Sequence, residues 1–363
     1  MKNTLWISGL KRLRILQKQR LHNREAKQWL IDFPNVTLAK EYKKEIDQYW
    51  GRYGVKVSGN WHRFFLGCTG IEDPRFLDNG LYYSKVICRL NRLELSAAYD
   101  DKNGYDLLFG KRIKMPKTIL RNMNGVMCDS EYKRLSYHEA KKIMLNTSKC
   151  IVKPTMGTNG GKGIIVLNNN GDSQYEEQVE SILGNKDIVV QEFIKQDDLL
   201  KKFNSASVNT VRVCSFLWKG EVNILAVYLR VGNDNEEFVK CSTDKFLVEG
   251  NGKITKAIDV HRRIVKDHKY KKFSDKIILP GIEKMKDIVN REHIRLNYFS
   301  LIGWDFTVDN DGDVVLLEIN THWPALDSVQ MLNGPAFGDM TDDVMKYVFC
   351  DKDELKKSIY IGI

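Results

Sequence analysis

No run of 18 consecutive apolar residues occurs in the 363-residue sequence, so nothing in it reads as a membrane-spanning helix. The start, Met1 to Ile7, has neither the long apolar stretch nor the small-residue cleavage site of a secretory signal, and a cytoplasmic location is expected. The seven cysteines are odd in number and scattered, with no Cys-x-x-Cys pair; they read as reduced and mostly buried thiols. Internal repeats, low-complexity tracts and Gly/Ser linkers are missing, so the lobes are expected to be packed rather than tethered. No Ser/His/Asp or Cys/His constellation suggests a nucleophile. No aromatic-and-basic cluster suggests RNA binding, and nucleic acid is not an expected partner.

With 42% hydrophobic and 29% charged residues the composition is ordinary for a globular protein, and the length points to two or three lobes around a cleft. The net charge of +10 favours anionic partners without choosing among them. Residues 10–30 read as a basic amphipathic helix, with Lys11, Arg12, Arg14, Lys18, Arg20 and Arg24 among Leu10, Leu13, Leu16 and Leu21. Such a charge run is usually a solvated face; docking on a membrane or on a partner is the sharper alternative. The region 1–98 reads as mostly helical, supporting the chemistry and offering one wall of an acceptor pocket.

Motifs begin after Asp101-Lys102-Asn103-Gly104. A proline-initiated strand is expected at Met115–Leu120, and a helix opened by Ser136 and Glu139 at capping-box spacing runs to about Asn146. The strand Cys150-Ile151-Val152-Lys153-Pro154 leads into a loop containing Gly157, Gly160, Gly161, Lys162 and Gly163, and then into the β-branched run from Ile164. A Walker A loop feeds a helix and ends in Gly-Lys-Ser/Thr; here Gly163 follows Lys162 and the loop joins strand to strand, so it reads as a flap. Its glycines let backbone N–H groups approach phosphate oxygens, and Lys153 and Lys162 add charge. The segment Asp187–Ile194 carries Gln191 and Glu192 in an apolar strand, suited to the faces and edge of a base and equally to an ordinary core strand. Arg212 and Arg230 sit inside apolar strands of a meander, where each guanidinium needs an anion, from a ligand or from the chain's own carboxylates. A packing helix is expected from Pro280 to about Leu296.

Near the C-terminus the stretch Gly303–Asn320 has two β-rich runs flanking an Asn-Asp-Gly turn, which predicts an antiparallel hairpin. Period-two alternation sends Glu318 and Asn320 to one face, and pairing brings Asp305 alongside. Two carboxylates and an amide make a hard oxygen set suited to Mg²⁺.

The order of these pieces resembles the ATP-grasp superfamily: a lysine, Val-x-Lys-Pro-x-x-Gly with a glycine flap, a Gln-Glu strand, Asn-Thr-Val-Arg, then Asp-Phe followed by Glu-Ile-Asn. Its wording is similar to the branch associated with sugar transfer, over about Lys102 to Gln330. The resemblance implies an α+β chain with the ATP-grasp fold, in which a nucleotide lies between two antiparallel sheet lobes: 1–98 helical, 99–195 the small lobe with the flap, 196–363 the large lobe with the metal site. It implies that Lys102 and Lys153 hold ATP phosphates and that Gly157, Gly160, Gly161, Lys162 and Gly163 close over them. Gln191, Glu192, Phe193 and Ile194 would line the adenine, with Asp198, or its neighbour Asp197, at the ribose. Asp305, Glu318 and Asn320 would hold Mg²⁺, so removing either carboxylate's charge is expected to leave the fold intact. Arg212 would act with Lys153 at the transferring phosphoryl group, and Asn209, Arg230, His322 and Trp323 would border the acceptor. One departure from the family pattern, Asn233 to Phe238 after Gly232, leaves the substrate-side loop open.

The reaction so implied is amide formation through an acyl phosphate, joining an amine or amino acid to a uronic acid or other carboxylate of a cell-surface polysaccharide precursor. Phosphoryl transfer of this kind asks the protein to position reactants and neutralise charge, which agrees with the missing nucleophile. A kinase-like phosphotransferase and an inactive nucleotide-binding scaffold are the alternatives. Asp305-Phe306 is followed by Thr307 and not Gly, and no His-Arg-Asp loop is present, against the first.

Overall fold

The computed structural model describes residues 2–157, 161–171, 173–232, 243–265 and 277–360, with side chains from Gly9 onward. The chain begins with three helices, α1 (Lys2–Trp29), α2 (Lys40–Gly51) and α3 (Asn60–Thr69), followed by short helical turns up to Arg112. α1 starts at Lys2 and not near residue 10, because nothing in its first turns breaks a helix: no proline, and Gly9 alone is tolerated at a cost of about 1 kcal/mol.

Two antiparallel sheets follow. The smaller has the order β2-β1-β5-β3-β4, built from β1 (Thr118–Met123), β2 (Val126–Asp129), β3 (Lys149–Pro154), β4 (Ile165–Asn168) and β5 (Ile188–Glu192). The turn joining β1 to β2 is Asn124-Gly125 with φ of 51° and 88°, the twist-matched pair that a two-residue hairpin requires. β1 begins three residues later than the sequence suggests, since Pro116 has no N–H to give the sheet. The capping box of the helix Tyr137–Leu145 is formed as expected, Ser136 Oγ accepting from the Glu139 N–H and the Glu139 carboxylate accepting from the Ser136 N–H.

The larger sheet has the order β10-β9-β8-β7-β6-β11-β12. Its strands are β6 (Thr210–Trp218), β7 (Glu221–Val231), β8 (Asp244–Val248), β9 (Ile254–Ile258), β10 (Ile264–Val265), β11 (Leu301–Val308) and β12 (Val314–Asn320). One face of this sheet buries Val211, Val213, Trp304 and Phe306 against the helix Ile282–His293, which spans a shorter stretch than Pro280–Leu296 because its last turn tightens to a 3₁₀ turn. The other face, through Cys214, Phe216, Ala226 and Tyr228, shares one core with α2, α3 and the helices Asp327–Asn333 and Thr341–Phe349. The N-terminal helices are thus built into the large sheet's back layer. Of the six described cysteines five are buried, Cys350 is exposed, and all are free; Cys241 and the segment Asn233–Phe238 lie outside the described residues.

Candidate active site

The β11–β12 hairpin is the scaffold of the site. Asp309 closes its turn, accepting from the N–H groups of Asp311 (3.0 Å) and Asp313 (2.9 Å), and Gly312 takes φ 81°. Asp305 then faces Glu318 and Gly303 faces Asn320 across the ladder. A bulge follows, with Phe306 opposite Leu316, and the extra residue lets the sequence neighbours Leu317 and Glu318 both reach the cleft between the sheets.

On the neighbouring strand Arg212 stands opposite Asp305, and its guanidinium grips the carboxylate with Nε on Oδ1 and Nη2 on Oδ2, the latter at 2.6 Å. Arg230 adds Nη1 to Oδ2 at 3.3 Å. Both buried arginines therefore use the chain's own carboxylate as an anion. Burial alone would raise the Asp305 carboxyl, but the two guanidiniums outweigh it and hold it below the usual range.

The small sheet supplies Lys153, buried at the exit of β3, with Nζ 3.1 Å from Gln191 Oε1. Burial, aided by the charge of Lys102 and opposed by Glu318, lowers its pKa to about 8. Lys102 is carried in by the turn that Asp101 caps, its N–H bonded to the Thr155 carbonyl at 3.2 Å, and its Nζ lies 3.3 Å from Glu318 Oε2. Four cations, Lys102, Lys153, Arg212 and Arg230, thus meet two carboxylates, Asp305 and Glu318. The excess of positive charge suits a polyanion.

Lys153, Arg212, Arg230, Asp305 and Glu318 open on a cavity of about 560 Å³ whose one end is walled by Pro116, Ile151, Ile164, Glu192, Phe193, Ile194 and Leu317; Lys102 does not line it and touches the site through Glu318. Glu192 and Phe193 are tied down by lysines, Lys117 Nζ at 3.0 Å from the Glu192 carboxylate and Lys149 Nζ 3.9 Å over the Phe193 ring. Apolar faces with a polar edge suit a base. In the flap Gly157, Gly161 and Gly163 have φ of 70°, 79° and 78°, and Gly161 lines the cavity. A Cβ on Gly163 would sit 2.9 Å from Pro154, so this position needs glycine twice over. Lys162 is exposed and does not line the cavity; Gly160 lies outside the described residues.

Among the described residues no cluster of three or more His, Cys, Asp or Glu side chains could hold a metal, so a divalent ion would rest on Asp305, Glu318 and the amide of Asn320. That set fits in its chemistry, for it offers hard oxygens, and Asn320 Nδ2 is buried without a partner among the described residues: as a donor it calls for an arriving acceptor such as a phosphate oxygen and leaves Oδ1 for the ion, while Lys102 and Arg212 hold the carboxylates until one arrives. With both Asp305 oxygens held by arginine, Glu318 and Asn320 are the donors turned to the cavity.

Other expected residues lie elsewhere. Gln191 is buried, accepts from Lys153 Nζ and does not line the cavity. Asn209 is fully buried and gives its amide to Gln196, Leu200 and Asn204 at 2.8–3.0 Å; it pins the β5–β6 connection and does not line the cavity. Asp198 points to solvent and pairs with Lys201 at 2.7 Å, while Asp197 caps the short helix Asp198–Lys201. His322 packs between Trp323 and Tyr360, at 4.6 and 5.5 Å between ring centroids, and only Trp323 reaches the cavity.

The cavity's far end is walled in part by the N-terminal region, as expected of 1–98, though by residues most of which the sequence did not single out. Lys18, Leu21, His22, Glu25 and Trp29 come from α1, joined by Tyr83, Lys245, Arg262 and Asp327. The α1 residues fall at helical spacing on one face, and that face mixes lysine, histidine, glutamate and tryptophan where a packing face would be apolar, which is the signal available in the sequence. Asp100 was also missed. It accepts from the Thr321 N–H (3.0 Å) and hydroxyl (2.8 Å) and fixes the chain just beyond Asn320.

No curated protein matches the chain. Solved structures similar to it include D-alanyl-alanine synthetase A from Vibrio cholerae (14% identity, 72% of this chain and 67% of that one, TM-score 0.39). L-amino acid ligase from Bacillus licheniformis aligns at 12% identity over 74% of this chain and 52% of that one, with TM-score 0.37. N5-carboxyaminoimidazole synthetase from Staphylococcus aureus aligns at 14% over 72% and 52%, with TM-score 0.39. The matched part is about half the length of the latter two chains. The family model for sugar-transfer associated ATP-grasp proteins matches residues 83–346, most of the chain. With its two antiparallel sheets around a cation-lined cleft, the protein has the ATP-grasp fold and belongs to the sugar-transfer associated ATP-grasp family.

Proposed function

We propose that the protein is an ATP-dependent carboxylate–amine ligase acting on a carboxylate, such as a uronic acid, of a cell-surface polysaccharide precursor. The observation that carries this reading is the convergence of Lys102, Lys153, Arg212 and Arg230 on Asp305 and Glu318 beside an apolar slot with a polar edge. A polyphosphate with a base attached matches both halves. The family's association with sugar transfer supports a glycan carboxylate.

In this reading a carboxylate oxygen of the substrate attacks the γ-phosphorus of ATP, ADP departs, and an acyl phosphate remains. The second substrate's ammonium loses one proton to become the amine, which attacks the acyl carbon and loses a second, and phosphate leaves with the former carboxylate oxygen. Lys153 and Lys102 hold phosphate oxygens, and Arg230 and Arg212 offset charge that develops between the sheets. Glu318, Asn320 and Asp305 would hold Mg²⁺, which supplies charge neutralisation at the phosphates when bound. The flap, with glycines at positive φ, excludes water from the labile acyl phosphate. No helix among the described residues is long and apolar enough to cross a membrane; peripheral contact with a membrane or assembly partner falls to the exposed Arg12, Leu13, Leu16, Arg20 and Arg24 of α1.

The test is ADP release with a panel of uronic acids and amines, products scored by mass. A ligase makes ADP only with both substrates present, and the product is an amide. ADP formed with a hydroxyl acceptor and no amine would replace this reading with a phosphotransferase.

A further inference from the structure

Amide formation asks more of the site than charge neutralisation. A primary amine is protonated in neutral water, its ordinary pKa lying between about 8 and 10, and an ammonium has no lone pair with which to attack an acyl carbon. Some group in the cavity has to take that proton. Of the five carboxylates that line it, Asp305 is held by Arg212 and Arg230, Glu318 by Lys102, Glu192 by Lys117 and Glu25 by His22. Asp327 has no ion pair among the described residues, but its unpaired oxygen Oδ1 is buried in the wall. Lys153 is drawn to its charged form once phosphate binds beside it.

His22 is placed differently. It lines the cavity, and its side chain is 13% exposed. Nδ1 lies 2.7 Å from Glu25 Oε2, one turn further along α1, and this is the ring's one hydrogen bond among the described residues. An ionised carboxylate only accepts, so Nδ1 carries the hydrogen and Nε2 keeps a free lone pair. Tyr83 stacks on the imidazole with centroids 4.5 Å apart at 19°, and meets Trp323 at 5.7 Å. Trp323 stands three residues beyond Asn320, so two rings link the imidazole to the end of β12, which carries Glu318 and Asn320. A second carboxylate, Asp78, is near enough to feel the ring's charge. Two carboxylates therefore balance the positive charge that the ring gains with a proton.

We propose that His22, oriented by Glu25 and Tyr83, is the general base of the amide-forming step and takes the first proton of the amine co-substrate. The proposal rests on the ligase reading above and names the residue for its second half. The ammonium gives one proton to Nε2, and the pair freed on nitrogen forms the C–N bond. The C–O bond breaks with its electrons going to phosphate, which takes the second nitrogen proton and leaves as hydrogen phosphate. The imidazolium then returns its proton to water.

The experiment gives the full-length protein MgATP with D-glucuronate, D-galacturonate or D-mannuronate. The nucleophile is either hydroxylamine or one of a panel of ammonia, ethanolamine and the common L-amino acids. Hydroxylamine is uncharged at neutral pH and needs no base before it attacks, so its hydroxamate reports the acyl phosphate alone. His22→Ala should lower the amide rate about 10²-fold or more while the hydroxamate rate stays within about threefold. Added imidazole should restore much of the amide rate to this variant. Glu25→Gln should lower the amide rate about tenfold or more with the hydroxamate spared, and it serves if His22→Ala does not fold. Equal loss of both products, undiminished amide formation, or the expected pattern in Asp327→Asn in place of His22→Ala would overturn the inference and leave the ligase reading standing. Hydroxamate without amide from any amine in the parent protein would do the same. A parent protein that forms neither product would instead remove the ligase reading itself.

Discussion

Arg212 stands directly across the β6–β11 ladder from Asp305 and holds both of its carboxylate oxygens. The two carboxylates of the hairpin are therefore not equivalent. Asp305 is 3% exposed and balances two guanidiniums, whereas the Glu318 side chain is 29% exposed and pairs with Lys102. Removing one member of a buried pair strands the other's charge, at a cost of about 3–5 kcal/mol. Asp305→Asn and Arg212→Met should each lose that much in chemical denaturation without ligand, and Glu318→Gln should lose little. Glu318→Gln should instead lower ligase turnover by about 10²-fold. Equal stability of Asp305→Asn and Glu318→Gln would mean that the arginine clamp contributes nothing.

The clamp also explains a glycine. A Cβ on Gly303 would lie 2.6 Å from Arg212 Nη1, so the strand next to the guanidinium has to be bare. Gly303→Ala should push Arg212 off Asp305 and destabilise by about 1–3 kcal/mol. Because the same contact is at stake, the Gly303→Ala/Arg212→Met double variant should be less unstable than the sum of the two. Strict additivity in urea melts would show that Gly303 serves something other than this approach.

The hairpin, the flap and the Gln-Glu strand were legible because each depends on local rules: turn chemistry at Asn310-Asp311-Gly312, glycine at positive φ, and alternation along a strand. The partners of Arg212 and Arg230 were not. Whether a buried arginine meets a ligand or the protein's own carboxylate depends on the register between β6 and β11, strands separated by more than eighty residues. Asn209 and Asp198 misled for a related reason, since a polar residue near a site can be spent on the backbone, as Asn209 is on Gln196, Leu200 and Asn204. That the N-terminal region would wall the cleft was expected, but not through which residues: Lys18 read as part of a solvated charge run until the fold sets it over Trp323 and stacks its neighbour His22 on Tyr83.

Asp100 offers a test of buried charge next to the site. Burial raises its pKa to about 6, against the bonds it accepts from Thr321. Between about pH 4 and 6 the folded chain then holds the proton more tightly than the unfolded chain, so stability from this group falls as pH rises through that window and the full penalty is present at pH 7. Asp100→Asn keeps an acceptor and loses the charge. It should be at least as stable as the parent at pH 7 and should flatten the pH dependence between 4 and 6, measured by denaturant midpoints. Asp100→Ala, leaving Thr321 without its acceptor, should lose about 1–3 kcal/mol.

Lys153 should report nucleotide binding through protons. Burial, with Lys102 beside it, lowers it to about 8, so at pH 8 about half of the free protein has it neutral. In the folded chain the charged form is disfavoured, and the stability contribution of this lysine rises with pH from about 8 towards its ordinary value near 10.4. A polyphosphate arriving between the sheets reverses the balance, because an anion within hydrogen-bond reach favours the ammonium. Binding of ADP at pH 8 should therefore take up about half a proton, seen as a dependence of the calorimetric heat on buffer ionisation enthalpy, and at pH 6.5 the uptake should be near zero. Affinity should fall as pH rises above 8. Lys153→Met should weaken binding and abolish the uptake at pH 8; uptake that survives the substitution would assign the proton to another group and remove Lys153 from the phosphate site.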